Sequence, residues 1–125
     1  MISEHHPRLH YHSFKNAWNG LFAAIKTQRN LRLEVMIGAA AIITALFLGF
    51  SETKLMIVTA TVLLVLGFEM INTSVEAMVD SVHVEHNALA KTSKDVAAGA
   101  VLVVTILAGI VGLYLYLPPI LDLLY

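Results

Sequence analysis

The chain has 125 residues, of which 58% are hydrophobic and only 14% charged, with a formal net charge of −1. So little charge excludes a disordered chain and cannot cover a small soluble globule, and eight Lys+Arg against nine Asp+Glu argue against nucleic acid as a partner. No cysteine is present, which excludes disulfide scaffolds, cysteine zinc sites, iron–sulfur clusters and thiol catalysis; the class that remains is a small all-α integral membrane protein, one domain over 1–125.

Residues 1–12 hold four His, one Pro and no apolar run, so no signal peptide is expected there. From residue 13 the pattern turns helical. Phe14, Trp18, Leu21, Phe22 and Ile25 fall on one face, with Lys15, Asn19 and Lys26 towards the other. A basic amphipathic helix with a Trp on its apolar side predicts a surface helix over 13–32, lying in the membrane interface. The alternative is a fourth helix packed on the bundle.

A membrane-spanning helix needs about 20 predominantly apolar residues. Three stretches qualify: 33–50, 55–79 and 96–117. Pro118 and Pro119 are expected to stop the third. Lys and Arg set the orientation. Arg8, Lys15, Lys26, Arg29, Arg32, Lys91 and Lys94 lie on one side, and Lys54 alone on the other. This predicts a cytoplasmic N-terminus and second loop, and a C-terminus outside. Small residues, among them Gly38, Ala41, Gly99, Ala108 and Gly112, suggest close helix contacts. Three helices alone would bury a polar stripe poorly, so a homo-oligomer is expected.

The second span carries that stripe. Glu69, Asn72, Glu76 and Asp80 follow at intervals of 3, 4 and 4. At 100° per residue they share an arc of about 80°, and Glu69 lies roughly 16 Å deeper than Asp80. Charge inside a membrane is costly and needs a reason. A polar seam between helices is one reading; a metal, proton or phosphate site is another. With the topology above, the stripe reaches from the cytosol into the upper acyl region. This suits an enzyme with one water-soluble and one lipid substrate. A proton or ion path would carry polar groups to the far side, and 55–67 offers only Thr59 and Thr61. Lys91 and Lys94, with Asp95 beside Lys94, stand at the start of the third span, where cations could meet phosphates while the carboxylates of the second hold Mg²⁺. No Walker A loop or protein-kinase signature occurs.

Three pieces carry a family resemblance. The first is Glu69-Met-Ile-Asn72-Thr73-Ser74-Val75-Glu76-Ala-Met-Val-Asp80. The second is His86-Asn-Ala-Leu89-Ala90-Lys91-Thr-Ser-Lys94-Asp95-Val-Ala-Ala-Gly99-Ala100-Val101. The third, weaker, is Trp18-Asn-Gly20-Leu21 with Arg29-Asn30 downstream. From about Phe14 to Leu117 the chain resembles the prokaryotic integral-membrane diacylglycerol kinase / undecaprenol kinase family, whose pattern E-x-x-N-[TS]-x-x-E-x-x-V-D the first piece matches.

The resemblance implies a single membrane lipid kinase domain that moves the γ-phosphoryl of MgATP to the hydroxyl of a lipid alcohol without a phosphoenzyme. It implies a surface helix and three spans per chain, a homotrimeric bundle in the cell membrane, and sites between subunits at the cytoplasmic interface. Glu69 matches the general base, in contact with the lipid, and Asn72 the polar residue beside it. Glu76 matches the carboxylate that holds nucleotide-bound Mg²⁺. Lys94 and Asp95 match the pair at the nucleotide, and Glu85 and His86 fall in the loop touching its sugar or base. Trp18 is a candidate lipid contact. One position departs: the family's metal-binding Glu before the first span is Gln28 here, a poorer Mg²⁺ ligand, for which Glu34 or Asp80 could compensate. The H-x-x-L-A-K loop and Leu-Pro-Pro tail look like the Gram-positive branch, which implies undecaprenol as acceptor, giving undecaprenyl phosphate; the alternative is diacylglycerol, giving phosphatidic acid. A proton- or ion-conducting subunit, or a purely structural one, stands as the alternative class.

Overall fold

Four helices follow one another in the computed structural model, which describes residues 7–82 and 87–124: α1 (Pro7–Thr27), α2 (Arg29–Phe47), α3 (Glu52–Ser81) and α4 (Ala88–Leu124). The described residues contain no strand. Helices α2, α3 and α4 are long and apolar enough to cross a membrane. The all-α membrane bundle expected from the sequence is therefore the observed architecture. Helix α3 is central and packs along α4 and α2, with a smaller contact to α1.

The element ends differ from expectation, each for a local reason. Helix α1 stops at Thr27 and α2 begins at Arg29, so the predicted surface helix over 13–32 is broken at Gln28, whose backbone is extended. The Arg32 guanidinium spans the break and donates to the Lys26 carbonyl at 2.8 Å. Helix α2 ends at Phe47, three residues before the predicted 50. There Gly49 adopts φ 67°, the left-handed conformation that costs a residue with a Cβ. Its N–H donates to Leu46 at 3.1 Å and that of Phe50 to Ala45 at 3.0 Å, a Schellman cap. Ser51 then caps α3, its hydroxyl accepting from the Lys54 N–H.

Helix α4 departs most. It begins at Ala88 rather than 96, because the Asn87 side chain accepts from the N–H groups of Leu89 at 2.8 Å and Ala90 at 3.4 Å. At its other end it does not stop before Pro118 and Pro119 but runs through both to Leu124. The prolines deprive the Tyr114 and Leu115 carbonyls of their i+4 donors. The turn before them is anchored regardless. Leu115 is buried, and the Tyr116 hydroxyl donates to the Ala41 carbonyl at 2.8 Å.

The buried core is small: Leu31, Ala45, Phe50, Val58, Val104 and Leu115. At the end of the bundle with the α2–α3 turn, the Phe50 and Tyr116 rings stack with centroids 4.9 Å apart. Most large apolar side chains face outwards, as they do when the surrounding medium is lipid or another subunit. Helix α1 follows this rule: Phe14, Trp18 and Phe22 form an exposed row, with successive centroids 6.2 and 5.7 Å apart, while Leu21 and Ile25 are half-buried. The aromatic face is thus not packed on the chain's own bundle. Of the glycines expected at helix contacts, Gly38 makes one. A Cβ there would lie 2.5 Å from Val62 Cγ1, whereas Gly99 and Gly112 face open space.

Candidate functional site

Helix α3 presents Glu69, Asn72, Glu76 and Asp80 in one column, as their spacing requires. Depth separates their environments. Glu69 and Asn72 are 6% and 8% exposed, the two buried polar side chains among the described residues. Glu76 is half-buried and Asp80 exposed. The Asn72 amide donates to Glu76 Oε1 at 3.3 Å, one turn along the helix. Its carbonyl oxygen is buried with no partner.

Helix α2 supplies the facing groups. Because it starts at Arg29, Asn30 and Glu34 lie one turn apart and both stand on the side of Glu69: the Asn30 side chain is near enough to interact with the Glu69 carboxylate, and Glu34 lies within its electrostatic range. One Glu34 oxygen, Oε2, is buried without a partner. An unpaired buried polar atom is costly, so two of them beside a buried carboxylate mark a site built to receive polar groups. Sequence reasoning held Glu34 only as a metal substitute and gave Asn30 no role. Their i, i+4 spacing before an apolar run was the available signal.

Glu34 also closes one end of a cavity of about 360 Å³ between α2, α3 and α4. Its walls are apolar, formed by Ile37, Gly38, Val62, Val65 and Gly112, and Tyr116 lies at the far end. A carboxylate at the head of an apolar cleft fits an amphiphile: a polar head at Glu34, within electrostatic range of Glu69, and a hydrocarbon body below.

Helix α4 brings the cation. Lys94 and Asp95 stand in its second turn rather than in a loop, since α4 starts at Ala88. Lys94 Nζ lies 2.8 Å from Asp80 Oδ1 and within electrostatic range of Glu76. Asp95 is exposed. Glu85 and His86 lie outside the described residues. Gln28, half-buried at the α1–α2 break, makes no capping bond with its side chain. Trp18 belongs to the exposed aromatic row and not to the buried polar cluster. Among the described residues no three His, Asp or Glu side chains converge as a metal site would require.

Residues 15–116 match the sequence profile of the prokaryotic diacylglycerol kinase family. The chain belongs to that family. A diacylglycerol kinase of Synechocystis is 42% identical over 113 residues, covering 90% of this chain and 65% of that protein. The undecaprenol kinase of Bacillus subtilis is 32% identical over 108 residues, covering 86% and 88%. A diacylglycerol kinase of Escherichia coli is 31% identical over 94 residues, covering 75% and 77%. The chain thus spans just under two thirds of the Synechocystis family member and most of the other two. The matched segment contains Gln28, Asn30, Glu34, the whole α3 column and Lys94.

Proposed function

We propose that the chain phosphorylates a membrane lipid alcohol with MgATP. The observation that carries this reading is the buried Glu69, set between the apolar cleft headed by Glu34 and the Glu76–Lys94–Asp80 group further along α3. Glu69 takes the proton of the lipid hydroxyl while that oxygen forms its bond to the γ-phosphorus and the bond to the ADP oxygen breaks. The Asn30 side chain, near Glu69, offers an amide donor to its carboxylate. Asn72 ties Glu76 to the same column. Lys94 offers ammonium protons to the phosphates. Magnesium carried by a nucleotide keeps its phosphates and waters and needs only one or two protein oxygens. Glu76 fits that demand without a cage, Gln28 would be a weaker second ligand, and the ion's charge would offset that developing on the phosphate oxygens.

Two acceptors each have an observation in their favour. The loop and tail resemblance, with the Bacillus undecaprenol kinase, supports undecaprenol. The higher identity to the Synechocystis diacylglycerol kinase supports diacylglycerol. The apolar cleft serves either. Transfer from γ-labelled ATP in mixed micelles, with the two lipids in parallel, decides between them. Label in neither lipid, with nucleotide bound, would reject both acceptors; absence of nucleotide binding would reject the kinase reading in favour of an ion-conducting or structural subunit.

We further infer a homotrimer in the cell membrane, with the N-terminus and the α3–α4 connection on the cytoplasmic side. Support comes from the seven-to-one Lys and Arg asymmetry, the outward-facing apolar surface of α4 and the partnerless polar atoms of the site. Sedimentation in detergent reads the assembly, and labelling of cysteines introduced at either end reads the orientation.

A further inference from the structure

Asp80 sits in the last turn of α3 and Lys94 in the second turn of α4, and their side chains meet at 2.8 Å across the connection between the helices. The pair is open to solvent, with 36% of the Lys94 side chain and 66% of that of Asp80 exposed. An ion pair so exposed contributes little to stability. Holding two helices together is thus a weak reason for it. What the contact does change is Lys94. A lysine ammonium is a compact charge on a flexible four-carbon stem. Fixed to Asp80, it stays on the side of α4 that faces α3, within electrostatic range of Glu76. The ammonium has three N–H donors. One goes to Asp80, and two are left for another acceptor.

We propose that Asp80 is a positioning residue for nucleotide binding: its carboxylate holds the Lys94 ammonium against the α3 column, one helical turn from Glu76, so that the cation and the proposed magnesium-binding carboxylate address the same polyphosphate. The proposal deepens the kinase reading and rests on it. It assigns Asp80 to the lysine and not to the metal, so Asp80 does not compensate for Gln28. It also makes the tether asymmetric with respect to substrates. The lipid meets Glu69 and the cleft, which Asp80 does not touch; the nucleotide meets Lys94.

The test is Asp80→Asn and Asp80→Glu in the full-length protein in mixed micelles, with MgATP and lipid varied separately. Losing the charge-assisted anchor is expected to raise the KM for MgATP roughly tenfold in Asp80→Asn. The KM for lipid and kcat should stay within about twofold, and the thermal midpoint within about 2 °C, as for an exposed pair. Asp80→Glu should restore most of the MgATP affinity. An unchanged or lowered KM for MgATP in Asp80→Asn would overturn the proposal. So would a fall in thermal midpoint with both KM values moving together, which is the signature of a structural clip. Equilibrium binding of a fluorescent ATP analogue with Mg²⁺ separates the two readings. Wild type that binds it but phosphorylates neither lipid would reject the acceptor assignment, and the binding constants of the Asp80 variants would still decide the tether. Wild type that binds no nucleotide would overturn both.

Discussion

The side-chain amide of Asn72 donates to Glu76 at 3.3 Å, while its own carbonyl oxygen lies buried with no partner. Asn72 therefore orients a carboxylate and keeps an acceptor in reserve within a column that is otherwise acidic. Asn72→Ala should lower kcat/KM by roughly 10²-fold, since Glu76 loses its orienting donor, with about 1 kcal/mol or less lost in stability. Asn72→Asp should be at least as damaging, because it sets a like charge between Glu69 and Glu76. Turnover and thermal midpoint, measured together, test both.

Glu69→Gln preserves shape but removes the proposed proton acceptor. Turnover should fall by about 10²–10⁴-fold, as for loss of a general base, with assembly and nucleotide binding retained. Phosphorylation at an undiminished rate would show that another group takes the proton.

Gln28→Glu places a carboxylate where the family resemblance implies a metal ligand. The expected result is a lower Mg²⁺ concentration for half-maximal activity and a turnover equal to or above wild type, because carboxylate oxygen is the better ligand for this hard cation. A magnesium titration that superimposes on wild type would put position 28 outside the metal shell.

Gly38→Ala tests how the site is held. Its Cβ would lie 2.5 Å from Val62 Cγ1, a β-branched side chain with little freedom to retreat. Helix α2 must shift on α3, at a cost of about 1–3 kcal/mol typical of overpacking. Because α2 carries Asn30 and Glu34, activity should fall together with the thermal midpoint. The double variant Gly38→Ala/Val62→Ala should recover both; a loss that persists there would locate the cause outside this crossing.

Gly38 also shows what could be read in advance. The sequence named it as a small residue at a helix contact, together with Gly99 and Gly112. Composition is the same in all three cases, yet only Gly38 meets a neighbouring helix in the chain. Likewise, the two prolines predict a stop that α4 runs through, and Asn87 starts that helix eight residues before the apolar run. A cap is a local signal and was legible; the anchoring of Tyr116 to Ala41, 75 residues away, was not.

Three apolar spans, an amphipathic first helix, the one-sided column Glu69–Asn72–Glu76–Asp80 and the absence of cysteine chemistry were determined by the sequence by itself. Each is a property of composition or of the helical repeat, and needs no knowledge of what packs against what. The tertiary structure alone decided that Glu69 and Asn72 are buried while Asp80 is exposed, that Asn30 and Glu34 lie near Glu69, that an apolar cleft begins at Glu34, and that Lys94 reaches back to Asp80. Those relations depend on where α2 breaks from α1, how closely α2 crosses α3 at Gly38, and where α4 begins. Helical periodicity places side chains around one axis; only the crossing of several axes brings carboxylate, amide and ammonium to a common place.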